Sequence, residues 1–89
     1  MNQPQMYAAI EGHYRKHRDA LVKSYAARCH GTYNAEDCVQ EAYTRALQYW
    51  SSFNDERGNL DDWIRGILFN CVRQFHQEEK MRGMHCLRS

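Results

Sequence analysis

Residues 35–50, AEDCVQEAYTRALQYW, decide the fold. Val39, Tyr43, Ala46 and Trp50 recur there at three- and four-residue spacings, and Phe53 continues the rhythm. That period places side chains on one face of an α-helix. The polar residues Asp37, Gln40, Glu41 and Thr44 stand at i, i+3, i+4 and i+7, so they make a second row beside the apolar one. The segment therefore reads as an amphipathic helix with one buried stripe and a polar row left for other work. Asn34 is a residue type that caps helix N-termini, and Asp37 at the third position can reach back as a weak capping box.

Two more helices follow from working outward. From about Tyr7 to His30, the residues Ile10, Tyr14, Leu21, Tyr25 and Cys29 form one apolar stripe, and Gly31 supplies a C-terminal stop. After Phe53, the loop Ser51 to Asn59 carries the turn signal Asp55-Glu56-Arg57-Gly58. Asn59 can cap a third helix whose first turn holds Asp61 and Asp62, acids that complement the positive helix end. Leu60, Ile64, Ile67, Leu68, Cys71 and Phe75 form its buried stripe. Gly66 lies inside it, at a cost of about 1 kcal/mol relative to alanine. The expected fold is all-α, a compact three-helix bundle forming a single domain over residues 1–89, with 1–6 and 81–89 frayed.

Size and composition agree. A chain of 89 residues buries about two-thirds of the surface its unfolded form exposes, enough for one modest core. Apolar residues are 43% of the chain and Pro4 is the one proline, which favours helices over a loop-rich or disordered chain. No apolar run approaches the roughly 18 residues of a spanning helix, and the N-terminus lacks a signal-peptide core, so the expected location is the cytoplasm, away from membranes. The formal net charge is +1, but the charges are segregated. Residues 11–28 are basic, 35–62 acidic, and Trp63 onward basic again through Arg65, Arg73, Lys80, Arg82 and Arg88. Such blocks suit an acidic face for a basic protein and a basic face for nucleic acid, or simply solvated helix faces.

Cysteines and histidines offer further chemistry. Without a signal peptide, and with three of the four inside expected helices, Cys29, Cys38, Cys71 and Cys86 read as reduced, mostly buried thiols. Together with His30, His76 and His85 they leave open a small Cys/His metal-binding helical protein, although none of these residues stands in a Cys-x-x-Cys or His-x-x-x-His spacing that would preorganise a tetrahedron. His13 and His17, at i, i+4, read as solvent-facing or amphipathic residues. The sequence has no Gly-rich phosphate loop, no nucleophile with a recognisable base and no paired carboxylates outside capping positions, so no enzyme activity and no cofactor are expected.

The segment Ala35-Glu36-Asp37-x-Val39-Gln40-Glu41-Ala42-Tyr43 resembles the A-E-D-x-V-Q-E-[AV]-[FY] stretch of region 2 of bacterial sigma-70-type initiation factors, particularly the extracytoplasmic-function group. The resemblance spans roughly Tyr14 to Glu79. In that family this helix docks on the clamp-helix coiled coil of the largest catalytic subunit of RNA polymerase. The resemblance thus implies polymerase contacts by Asp37, Gln40, Glu41, Thr44 and Arg45, and a row of carboxylates and amides can accept charge-assisted bonds from a partner's arginines.

Ser52-Phe53 and Arg57-Gly58 likewise resemble the family's S-F-x-x-x-x-G loop, which with the next helix receives a base flipped from the promoter's minus-ten element. Trp63 matches the helix-opening tryptophan and Asn70 a polar position that reads the flipped base in some members. The implied DNA-binding set is Phe53, Arg57, Trp63, Arg65, Asn70, Arg73 and Gln77, facing mainly single-stranded promoter DNA. Asn70 in mid-helix is unfavourable by propensity, which points to a functional reason for it. Phosphate contacts by Arg65, Arg73 and Lys80 would give a salt slope of only about −3, hence weak duplex affinity.

Family members normally continue into region 4, a helix-turn-helix domain for the minus-thirty-five element, which these 89 residues do not accommodate. The expectation is a sigma-like initiation or regulatory protein that binds RNA polymerase core and promoter DNA, with a separate region 4-like protein as a possible further partner. The alternatives are a phage-type inhibitor occupying the sigma site on polymerase, the Cys/His metal-binding protein, and a helical protein-interaction module.

Overall fold

The computed structural model describes the backbone of residues 2–88 and the side chains through Met81. Three helices form it: α1 over Gln3–Tyr25, α2 over Thr32–Gln48 and α3 over Leu60–Arg88, with a short 3-10 turn at Trp50–Ser52 between the last two. No strand is present among the described residues. The all-α bundle is as expected. At 1.5 Å per residue the 29 residues of α3 span about 43 Å, which sets the long axis of a 51 × 23 × 19 Å molecule.

Helix α2 is the middle layer, packed on α1 on one side and α3 on the other. Its small residues explain this position. Ala35, Ala42 and Ala46 are fully buried, so two neighbouring helices can approach one backbone closely, while Val39 and Tyr43 fill the space between them. The core is completed by Met6, Ile10, Leu21, Val22 and Cys29 from α1 and the turns after it, and by Ile64, Leu68, Cys71 and Val72 from α3. Leu60, Ile67 and Phe75 of the expected third stripe, with Trp50 and Phe53, pack at its edge.

Helix α1 begins earlier than its apolar stripe suggests. Asn2 and Gln5 make a reciprocal capping box, with the Gln5 backbone N–H donating to Asn2 Oδ1 at 2.9 Å and the Asn2 N–H donating to Gln5 Oε1 at 3.0 Å. Pro4 lies in the first turn, where no backbone donor is needed. Residues 3–6 are therefore helical, not frayed, and Met6 is only 2% exposed. At the other end, residues 81–88 continue α3, whereas Ser89 lies outside the described residues.

The α1–α2 junction also departs from expectation. Helix α1 ends at Tyr25 instead of His30, and turns closed by Cys29 N–H to Tyr25 O (2.9 Å) and Gly31 N–H to Ala26 O (2.8 Å) reverse the chain. His30 sits at φ 60° and Gly31 at φ 130°. That pair turns the chain so early that Gly31, not Asn34, is the N-cap of α2, and no side chain caps it. Asn34 falls inside the first turn, where its Nδ2 donates to Cys29 O at 2.8 Å and satisfies the preceding segment instead. By contrast, Asn59 caps α3 as expected, accepting from Asp62 N–H at 2.8 Å.

Two glycines predict opposite outcomes. A β-carbon would meet nothing within 4 Å at either Gly31 or Gly66. Gly31 holds a conformation closed to L side chains, so Gly31→Ala is expected to destabilise by about 1–3 kcal/mol. Gly66 is helical, so Gly66→Ala is expected to stabilise by about 1 kcal/mol. Urea midpoints that move in the same direction for both variants would contradict this account.

Candidate functional site

The polar row of α2 is exposed at Asp37, Gln40, Glu41 and Thr44, while Arg45 is partly covered. Thr44 turns its hydroxyl back on the helix, donating to Gln40 O at 2.9 Å. Arg45 joins two helices. Its Nε donates to Glu41 Oε1 at 3.1 Å and its Nη2 to Gln74 Oε1 of α3 at 2.7 Å, and the bond to Glu41 raises the guanidinium pKa. Asp37 and Gln40 make no side-chain bond among the described residues. The row borders a groove of about 650 Å³ between α2 and α3, to which Tyr33, Gln74 and Glu78 also contribute. Tyr33 stands one turn before Asp37 on α2 itself and was passed over, whereas Gln74 and Glu78 were missed because nothing in the spacing of α3 residues links them to α2. On the other flank, Gln40 and Thr44 border an apolar cleft of about 360 Å³ with Tyr7, Ile10, Tyr14, Tyr43 and Leu47.

A second surface lies at the α2–α3 connection. The loop folds on Asn54, whose side chain accepts from Glu56 N–H at 3.0 Å and whose carbonyl accepts from Arg57 N–H at 3.0 Å. This brings Phe53 against Trp63, with ring centroids 5.3 Å apart at 54°. Both rings are half-buried beside a cleft of about 330 Å³ lined also by Arg57 and Asp62. Its chemistry is an aromatic wall with one cation and one carboxylate at the rim, which suits a flat polar heterocycle.

Along α3 the structure extends this surface. Seven residues of a helix rotate almost two full turns, so Asn70 stands about 20° from Trp63, roughly 10 Å further on. Arg73 and Gln77 share that face, and with Arg45, Asn70 and Gln74 they line a shallow depression. Asn70 is exposed and has no packing role. Arg65 stands apart from this group. It is about 140° round the helix from Asn70, and its Nε donates to Asp61 Oδ1 and Oδ2 at 3.0 and 2.9 Å.

Histidine 13 is the largest departure from the sequence reading. Expected on a solvent-facing or amphipathic surface, it is buried, with Nδ1 2.6 Å from the Tyr43 hydroxyl and Nε2 2.7 Å from Asp61 Oδ1. Asp61 is therefore more than a first-turn acid. The bonds from His13 and Arg65 hold its carboxyl below the usual range despite partial desolvation. The signal was present, since His13 follows Ile10 by three residues on the buried stripe of α1.

Cys29, Cys38 and Cys71 are free and buried, as expected, while the side chain of Cys86 lies outside the described residues. Burial raises all three thiol pKa values, Cys38 to about 12 from 9.0, and also pushes the Tyr43 phenol up to about 12 from 10.0. A raised acid binds its proton more tightly in the folded state. Its contribution is complete below the unfolded value and is lost as pH rises toward the folded one. Stability should therefore fall between pH 9 and pH 12. At pH 8 all three thiols should be alkylated more slowly than after denaturation, Cys38 at least tenfold so, because the thiolate is the reactive form. Equal labelling rates in native and denatured protein would contradict this.

Among the described residues, no helix is long and apolar enough to cross a membrane. A sequence model described as sigma-70 region 2 matches residues 13–81. No curated protein and no solved structure matches the chain.

Proposed function

Because the chain belongs to the sigma-70 region 2 family, a transcription-factor domain, we propose that it docks on RNA polymerase core through α2 and offers its loop and α3 to the melted minus-ten strand. The observation that carries this reading is the row Asp37, Gln40, Glu41 and Thr44, exposed on the central helix although α2 is otherwise the bundle's most enclosed element. A solvated face explains a carboxylate there. It gives no reason for an unpaired amide at Gln40 flanked by two clefts. Arg45, braced between Glu41 and Gln74, fixes the edge of the row and reduces the entropy lost when a partner's cations bind.

For the nucleic-acid side, the support is a continuous face from the Phe53–Trp63 pair through Asn70 to Gln77. A flipped base would stack on the rings and meet amide groups beyond them, and Arg57 and Arg73 would take phosphates. Arg65, engaged by Asp61, contributes less than its charge suggests, so Arg57, Arg73 and Lys80 remain as phosphate contacts and the salt slope on a single strand is expected to be about −2. A separate region 4-like protein would supply the contacts to duplex DNA upstream.

The test is binding to bacterial RNA polymerase core, wild type beside a Gln40→Ala, Glu41→Ala double variant with helix content checked in both. Both residues are exposed, so the variant should stay folded and lose at least tenfold in affinity. Absence of binding by the wild type sinks the reading. If binding survives in Phe53→Ala, Asn70→Ala and these changes leave the effect on transcription intact, the protein acts by occupying the polymerase and not by reading DNA.

A further inference from the structure

We propose that His13, His17 and Asp61 form a binding site for one first-row divalent transition-metal ion, joining α1 to the first turn of α3. The ligand atoms of these three side chains all lie within 4.8 Å of one another, and no other trio of His, Cys, Asp or Glu among the described residues does so. The His13 and His17 rings stand one helical turn apart, 4.3 Å between centroids. His13 Nε2 already lies 2.7 Å from Asp61 Oδ1. Tetrahedral ligands at about 2.0–2.1 Å from an ion are about 3.3 Å apart, so the His13–Asp61 pair opens by roughly half an ångström and His17 closes by a side-chain rotation.

The surrounding groups are those a metal site requires. A ligating histidine ordinarily donates its second ring N–H to an oxygen, which fixes the tautomer and the ring plane. Tyr43 places its hydroxyl 2.6 Å from His13 Nδ1, in the core, where the ring cannot turn away. Asp61 is also held by Arg65, whose Nε donates to Oδ1 at 3.0 Å and to Oδ2 at 2.9 Å. The protons balance without a net change on a neutral ring. In the metal-free protein the Nε2–H donates to Asp61 and the Tyr43 O–H to Nδ1; with an ion on Nε2, the ring proton resides on Nδ1 and the Tyr43 oxygen accepts it. Two imidazoles and one carboxylate, with a fourth position open to water, favour zinc, cobalt or nickel over magnesium or calcium. The Arg65 charge beside Asp61 opposes a dication and sets a moderate affinity.

His17 makes the decisive variant, because it forms no hydrogen bond among the described residues and is not part of the buried core. The experiment titrates the purified protein with cobalt(II), following visible absorption and thermal unfolding, for wild type, His17→Ala and Tyr43→Phe. The wild type should bind one equivalent with the ligand-field bands of a four-coordinate ion, without a thiolate charge-transfer band, and its unfolding temperature should rise with cobalt. His17→Ala should keep its metal-free unfolding temperature and bind at least tenfold more weakly. Tyr43→Phe should weaken binding about tenfold through the loss of the outer oxygen. Three results overturn the proposal: no ligand-field bands in the wild type, undiminished binding by His17→Ala, or a thiolate band, which would transfer the ion to the cysteines.

Discussion

Replacing Leu68 with alanine is expected to lower the unfolding free energy by about 2–5 kcal/mol. Leu68 is 0% exposed on α3 and belongs to the core shared with α2. The alanine would forfeit the transfer free energy of the lost methyl groups and leave a hole that rigid helix backbones do not collapse to fill. A domain of this size has a total stability of only about 5–15 kcal/mol, so the loss is a large fraction of the whole. The adjacent residue is the control. Phe69 is half exposed, and Phe69→Ala should cost much less despite removing a larger side chain. Urea unfolding of the two variants decides the matter, and a Phe69 effect equal to that of Leu68 would mean that α3 packs through a different face.

His13→Ala is the second change of that size, at about 3 kcal/mol, and its origin is polar. The substitution strands the hydroxyl of Tyr43, a residue only 5% exposed, and an orphaned buried group of this kind costs about 1–3 kcal/mol. The emptied ring volume and the lost bond to Asp61 supply the rest, softened because Asp61 keeps Arg65 and part of its solvent. Tyr43→Phe alone should cost only about 1 kcal/mol. In the double variant no hydroxyl is stranded, so the combined loss should fall short of the sum by about 1 kcal/mol. At about 4–8 °C per kcal/mol, thermal unfolding resolves these differences. Strict additivity would show that the His13–Tyr43 bond contributes nothing in solution.

The helical period was plain in the sequence wherever apolar residues sat on one stripe. Val39, Tyr43 and Ala46, or Ile64, Leu68 and Cys71, could be assigned to the core from spacing alone, because burial follows the 3.6-residue repeat. The cap at Asn59 was legible for a similar reason, since the residue that bonds it lies three positions away. Asn34 was misread because an N-cap depends on where the chain turns, and the turn was made by His30 and Gly31. The start of α1 was misread because Met6 belongs to a turn preceded by polar residues that looked too weak to hold it.

Of the candidate surfaces, the sequence marked their members along each helix but not their neighbours across helices. Asp37, Gln40, Glu41 and Thr44 fall in one row by local geometry, and so do Asn70, Arg73 and Gln77. Gln74 and Glu78 join the first group only because α3 lies beside α2, and Arg65 leaves the second because Asp61 holds it on another side of the helix.

The sequence by itself thus determined three helices, their buried faces and the two polar rows, because each depends on residues within about one or two turns of one another. The tertiary structure alone decided that His13 meets Tyr43 and Asp61, 30 and 48 residues away, and that Arg45 braces against Gln74, 29 residues away. Hydrogen bonds of that kind rest on the angle and offset at which helices pack, and those are set by the volumes of Ala35, Ala42 and Ala46 together with everything that fills the space around them.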